Sequence, residues 1–240
     1  MRIGVYVDGF NLYYGGRSRF GKGTAGWKWL DLRALAAVLV ANNSSWQGTA
    51  IHRVVFCTAK IDGATNYSGR SDQDRYLKAL QVFGSIDHLE LGYYVTRVKR
   101  GALAKPKGRH SFDYTDLQGR VLPLAAPPHL VSVAQREEKG SDVNVAAHLL
   151  HDALTGVIDA AIVISNDSDL AFALSTARKF VPVGTVNPSP SFLAGALRGH
   201  PSDGVGNHWW ASITPDDFQN SQLPDPVPDS PRQWPKPQGW

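Results

Sequence analysis

Apolar and β-branched residues run through Arg2-Ile3-Gly4-Val5-Tyr6-Val7 with no polar alternation, the pattern of a strand buried on both faces. It stops at Asp8-Gly9, and Asn11 follows three residues after the acid. Residues 15–26 are glycine-rich and read as a loop. Asp31 then heads a run in which Leu32, Leu35, Ala36 and Leu39 recur at helical spacing, predicting a helix over 32–40 with the acid as its cap. Residues 51–58 predict a second strand. Ser71 with Asp74 resembles a capping box ahead of a helix that packs Tyr76, Leu77, Leu80 and Phe83, and residues 86–95 predict a third strand.

The densest pattern spans residues 139–179. An amphipathic helix over 143–154 carries Asp142 at its start, a short apolar strand over 160–164 follows, and Ser165-Asn166-Asp167-Ser168-Asp169 opens into another helical segment. Further on, residues 181–186 predict a fifth strand, 192–197 a short helix and 208–213 an edge strand. Thr214-Pro215-Asp216-Asp217 is a helix start, with Thr as cap, Pro at the first position and acids in the first turn.

Strands that alternate with helices imply a parallel sheet with right-handed crossovers, so the strand carboxyl ends share one edge. With strands two and three on one side of the first strand and the later strands on the other, the expected order is 3-2-1-4-5. The switch point, where open α/β sheets bind ligands, then falls between the strands ending in Asp8 and Asp167. Asp142, at the start of the helix that leads into the fourth strand, belongs to the same edge.

Composition narrows the class. Hydrophobic residues make up 42% of the 240 and charged residues 19%, a globular balance. Cys57 is the single cysteine and reads as a small buried hydrophobe, and no leader precedes Ile3, so a reducing, cytoplasmic setting is expected. No apolar run approaches the ~20 residues needed to cross a bilayer, so no membrane partner is expected. From Asp203 onward five acids face two bases, which leaves 23 bases against 16 acids before it, a formal +7. That body suits a polyanion.

The positive charge is concentrated in Arg97, Lys99, Arg100, Lys105, Lys107 and Arg109, with no acid among them. Residues 97–133 read as a basic hairpin-like insertion able to follow a phosphate backbone. The reading of the chain is therefore a domain over 1–224 with this insertion, and a proline-rich tail over 225–240 in which Trp234 and Trp240 can act as straps.

Four carboxylates on one edge repel one another unless a cation neutralises them, and hard oxygen donors favour Mg²⁺ or Mn²⁺. Such ions lower the pKa of a bound water and stabilise in-line displacement at phosphorus. The plainer reading makes Asp8, Asp142, Asp167 and Asp169 helix caps and first-turn acids. The shared edge favours the common site.

Val7-Asp8-Gly9-Phe10-Asn11, Glu138-Lys139-Gly140-Ser141-Asp142-Val143-Asn144 and Ser165-Asn166-Asp167-Ser168-Asp169, in this order, resemble the three signatures of the NYN domain, a branch of the PIN-like nucleases. The resemblance covers approximately residues 1–224 apart from the basic insertion, and departs mildly at Ser141 and Asn166. It implies a three-layer α/β/α PIN-like, Rossmann-like sandwich. It also implies metal binding by Asp8, Asp142, Asp167 and Asp169, with Asn11 orienting the acids or the substrate.

The expectation is a metal-dependent endoribonuclease that uses Mg²⁺ or Mn²⁺ on RNA, with a homo-oligomer left open. Lys139 and Ser165 are further substrate-side candidates, each with an ordinary alternative as a solvated lysine and a backbone-satisfied serine. Tyr13 and Tyr14 could stack bases, although packing under the glycine-rich segment is the safer reading for at least one. His148 and His151, with Asp152 adjacent, superficially suggest a metal face, but their distance from Asp142 favours surface or partly buried roles. The rival functions are a non-catalytic RNA-binding or regulatory module and, last, a nucleotide phosphatase, for which no glycine-rich phosphate loop precedes a helix.

Overall fold

The first strand, β1 (Arg2–Asp8), is buried on both faces because each face meets its own core. Ile3, Val5 and Val7 enter one hydrophobic cluster and Tyr6 the other, which accounts for the missing polar alternation. The computed structural model describes every residue except Gln47, Arg109 and His110. Two compact units divide the chain, Met1–Tyr93 with Gly140–Trp240, and Tyr94–Lys139.

In chain order, α1 (Gly9–Phe20) and α2 (Leu32–Asn43) follow β1, then β2 (Ala50–Ala59), α3 (Tyr67–Phe83) and β3 (His88–Ala102). The short strands β4 (Ala104–Pro106) and β5 (Phe112–Tyr114) form an antiparallel pair before β6 (Leu130–Lys139). Next come α4 (Ser141–Leu154), β7 (Ala160–Ile164), a 3₁₀ turn at Ser168–Leu170, α5 (Ala171–Ala177), β8 (Val183–Asn187) and α6 (Gly195–Arg198). The chain closes with β9 (Trp209–Ser212), α7 (Pro215–Asn220) and the pair β10 (Val227–Asp229) and β11 (Arg232–Trp234).

Among the described residues the main sheet has seven strands in the order β6-β3-β2-β1-β7-β8-β9. The pairings β3/β2, β2/β1, β1/β7, β7/β8 and β8/β9 are all parallel. The five-strand order expected from the sequence is therefore corrected: it lacks β6 beside β3 and stops short of β9. The second half of β6, Gln135-Arg136-Glu137-Glu138-Lys139, is wholly polar and largely exposed, so no hydrophobic pattern marks it as a strand.

Helices cover both faces and make an α/β/α sandwich. Leu32, Leu35, Leu39, Leu77, Leu80 and Phe218, from α2, α3 and α7, pack with β1 and β2 in the larger cluster. On the other face Val145, Leu149, Ala153, Leu174 and Leu197, from α4, α5 and α6, pack on Tyr6, Val55, Cys57 and Val163. Fully burying such a side chain contributes ~1.5–3 kcal/mol, so each helix is held chiefly by its apolar stripe.

Local signals set the helix starts. Asp31 accepts the N–H groups of Arg33 and Ala34 at 3.0 and 3.2 Å, as an N-cap should. For α3 the cap is Asn66, whose side chain accepts from Gly69 N–H at 3.0 Å, rather than Ser71. Asp74 is instead held by Arg70 at 2.7 Å and Lys60 at 3.2 Å. The expected glycine-rich loop also starts later: Gly15 and Gly16 lie inside α1. There the bare Cα of Gly15 lets α1 approach the chain at Pro188, whose backbone would lie 2.7 Å from a Cβ. The tail is strapped on, with Val227 buried and Trp240 against Trp29 and Tyr76 at ring separations of 6.3 and 5.4 Å.

Candidate active site at the carboxyl edge of the sheet

Parallel register fixes the site. Asp8 at the end of β1 stands beside Cys57 of β2, and Cys57 beside Glu90 of β3, so the three side chains share one row and one face. Two residues earlier, Tyr6, Val55 and His88 form the parallel row on that face. Helix α4 packs across it, with Asp142 in its first turn and the buried Asp152 near its end.

Asp8 is fully buried. It caps α1: its Oδ1 accepts the N–H of Asn11 at 3.0 Å. Its Oδ2 accepts the Asn11 amide at 2.6 Å and the Ser165 hydroxyl at 2.9 Å. All three donors are neutral. Burial pushes the Asp8 carboxyl above its ordinary range, the three hydrogen bonds pull it down, and the nearby charge of Asp167 raises it again.

Asp167 belongs to the turn after β7. Its N–H donates to Ser165 Oγ at 3.1 Å, and its Oδ1 caps the 3₁₀ turn by accepting from Asp169 N–H at 3.0 Å. Asn11 and Asn166 tie the turns together, since Asn166 N–H donates to Asn11 Oδ1 at 3.2 Å and Asn166 Oδ1 accepts from Ala194 N–H at 2.7 Å. Asp142 lies in the first turn of α4. Burial, followed by the charges of Glu90, Asp8 and Asp142, pushes the Cys57 thiol up to about 12.

Asp8, Asn11, Ser165, Asp167 and Asp169 are thus joined through hydrogen bonds, with Asp142 on the same edge. Among the described residues no three of the four aspartates bring carboxylate oxygens within 4.8 Å of one another. Asp8 and Asp167 both serve as caps. With three of its roughly four lone-pair positions filled, Asp8 keeps one for a cation. Mg²⁺ commonly takes only one or two carboxylates and completes its shell with water and phosphate, which this looser set of oxygens fits.

The sequence pattern misses Glu90 and His88; His148 is partly buried, within the surface or partly buried roles expected for it. The Glu90 oxygen lies 2.8 Å from His88 Nε2 and 3.5 Å from His148 Nε2. The bond to His88 leads the effects that hold the Glu90 carboxyl below its usual range. His148 Nδ1 is 3.5 Å from an Arg53 nitrogen, and the Arg53 guanidinium pairs with the buried Asp152 at 3.2 Å. Tyr6 donates to Asp152 at 2.9 Å, and burial, with Asp152 beside it, pushes its phenol up. Gly4 makes room for that phenol, which a Cβ would meet at 2.6 Å. His151 is exposed and touches Asp152 at 3.1 Å.

The basic candidates Arg97, Lys99, Arg100, Lys105, Lys107 and Lys139 are exposed and lie in the Tyr94–Lys139 unit, while Arg109 lies outside the described residues. Acids in that unit pair with several of them: Lys99 and Lys139 both meet Glu137, the latter at 3.2 Å, and Lys107 meets Asp113 at 3.2 Å. Tyr13 and Tyr14 are partly exposed. Tyr13 packs on Trp27 at 5.7 Å and Tyr14 on Tyr13 at 5.3 Å. No helix among the described residues is long and apolar enough to cross a membrane.

Fold and site together define an α/β protein with an acid-lined carboxyl edge at its central strands. The chain is 30% identical over 260 residues to 6-hydroxy-3-succinoylpyridine 3-monooxygenase HspA of Pseudomonas putida (strain DSM 28022 / S16), with 100% of this chain and 75% of that protein covered. It belongs to the family of that enzyme. No family model matches. A Vibrio parahaemolyticus RIMD 2210633 protein of unknown function is similar in structure, with a TM-score of 0.49, 15% identity and coverage of 90% of this chain and 94% of that one.

Proposed function

We propose that the protein is a metal-dependent endoribonuclease with an NYN-type, PIN-like catalytic edge. The observation that carries this reading is the buried Asp8 carboxylate, held by neutral donors only and facing the like charge of Asp167. Such a pair is relieved by a cation; Asp8, Asp142, Asp167 and Asp169 are the residues that would hold Mg²⁺ or Mn²⁺, one or two of them directly and the others through its bound water. The ion, when bound, supplies charge neutralisation and Lewis acidity at a phosphodiester. Asn11 and Ser165 keep Asp8 oriented, and the exposed cations of the Tyr94–Lys139 unit supply the charge that draws RNA.

The test is cleavage of labelled single-stranded RNA in Mn²⁺ by wild type and Asp167→Asn. Loss of cleavage by a factor of at least ~100 in the variant is expected for a residue of this kind. Equal cleavage by both proteins sinks the assignment. Salt-dependent RNA binding with no metal-dependent cleavage by the wild type supports instead the non-catalytic RNA-binding module.

A second reading rests on the family relationship, which spans the whole chain. In it the protein is a monooxygenase acting on 6-hydroxy-3-succinoylpyridine or a related pyridine. Consumption of that compound with dioxygen and a reductant, in the absence of RNA cleavage, selects this reading over the first.

A further inference from the structure

Among the described residues one group of three metal-type side chains brings its ligand atoms within 4.8 Å of one another, and it contains none of the aspartates: His88, Glu90 and His148. We propose that these three residues form a second metal centre, one that takes a divalent first-row transition ion. The inference goes beyond the nuclease reading and does not depend on it.

Secondary structure presents the set from two rigid elements. His88 and Glu90 are two apart on β3, so they project from one face, and His148 faces them from α4, with the two imidazole rings 4.9 Å apart. Two ligands at ~2.0–2.2 Å from a tetrahedral ion stand roughly 3.4 Å apart. The separation of Glu90 from His148 is 3.5 Å, and that from His88 is 2.8 Å, a hydrogen bond that an ion would replace by opening it slightly.

Two imidazoles and one carboxylate suit zinc-type and ferrous ions, whereas an all-oxygen set suits Mg²⁺. Side-chain exposures of 41%, 35% and 21% for His88, Glu90 and His148 leave an approach from solvent and a position for water. That is the arrangement of an open site, with three protein ligands and a free fourth position. The lateral row also separates it from the aspartates: Glu90 stands two strands from Asp8, a Cα displacement of roughly 10 Å at ordinary strand spacing.

Arg53 sets the ring state. A guanidinium only donates, so its contact with His148 Nδ1 makes that nitrogen the acceptor and places the proton on Nε2, toward Glu90. An ion at Nε2 takes the lone pair there, the proton moves to Nδ1, and Arg53, no longer able to donate to Nδ1, keeps its pair with Asp152.

The experiment is calorimetric titration of the chelator-stripped, full-length chain with Zn²⁺, and separately with Fe²⁺ under anaerobic conditions. About one ion per chain is expected, with binding weakened at least ~10-fold in Glu90→Gln and in His148→Gln. Asp167→Asn is expected to leave this step unchanged, and circular dichroism verifies the fold of each variant. Absence of saturable binding by the wild type to either ion overturns the inference. So does binding that survives both ligand variants, or binding lost in Asp167→Asn. In the last case the ion belongs to the aspartates, and the nuclease reading stands while this one falls.

Discussion

The Ser165 hydroxyl links Asp8 to Asp167, donating to the Asp8 carboxylate at 2.9 Å while accepting the Asp167 N–H at 3.1 Å. It is buried. One side chain therefore touches both the first acid and the turn that carries the second.

Ser165→Ala removes a donor to the charged form of Asp8, so the Asp8 carboxyl rises further. Leaving both partners short of a hydrogen bond is expected to cost about 1–3 kcal/mol in stability. Chemical denaturation measures the loss, and the acidic limb of Mn²⁺-dependent RNA cleavage is expected to move to higher pH. An unmoved limb would show that Asp8 does not control the reaction.

Asp8→Asn has a pH signature of its own. Because the folded pKa of Asp8 is raised, chiefly by burial, its contribution to stability is complete below the ordinary carboxyl value of ~3.9 and is lost as pH rises through the folded value. Without added metal, Asp8→Asn is expected to melt above the wild type at neutral pH, with the gap closing toward acid. Mn²⁺ is expected to stabilise the wild type and not the variant. Thermal melts at two pH values, with and without Mn²⁺, read all of this.

How legible was the edge? Asp8 and Asp167 were visible in the sequence because each ends an apolar strand and opens a helical segment, a pattern that survives without tertiary knowledge. Asp142 was visible because it opens an amphipathic helix, with no apolar strand before it. Glu90 was not, because an acid between Leu89 and Leu91 looks like ordinary strand alternation, and only its lateral register with Cys57 brings it to the edge. His148 was grouped with its helix neighbours His151 and Asp152 for a related cause: its actual partners come from β3, more than fifty residues earlier in the sequence. The parallel sheet was legible from the alternation of strand and helix patterns, and its layering between helices came only through the family resemblance, whereas β6 was hidden by its polar half. The cations of residues 97–107 were legible too, but not their pairing with Glu137 and Asp113.

Gly15→Ala tests the approach of α1 to the chain at Pro188. A Cβ there meets backbone at 2.7 Å, which cannot swing aside as a side chain can. A loss of about 1–3 kcal/mol is expected, a drop in melting temperature of roughly 2–4 °C for each kcal/mol. Gly195→Ala is the control, since a Cβ at that position meets nothing within 4 Å, and its melting point is expected to change little.

Trp240→Ala tests the strap. The ring covers Trp29 and Tyr76, and Trp29 Nε1 donates to Pro224 O at 3.0 Å where the tail departs. Because Trp240 is only partly buried, a loss below the ~3–5 kcal/mol of a fully buried tryptophan is expected, about 1–3 kcal/mol. Faster proteolysis within residues 225–240 is expected to accompany it.

Cys57 sits between Asp8 and Glu90 with no solvent exposure, and burial and surrounding acids push its thiol up to about 12. At neutral pH the sulfur is therefore both shielded and protonated, and a thiol reagent finds no nucleophile while the strands are closed. The chain's single cysteine thus doubles as a built-in clock, because the rate at which an alkylating reagent marks it reports how often the strands around the acids come apart.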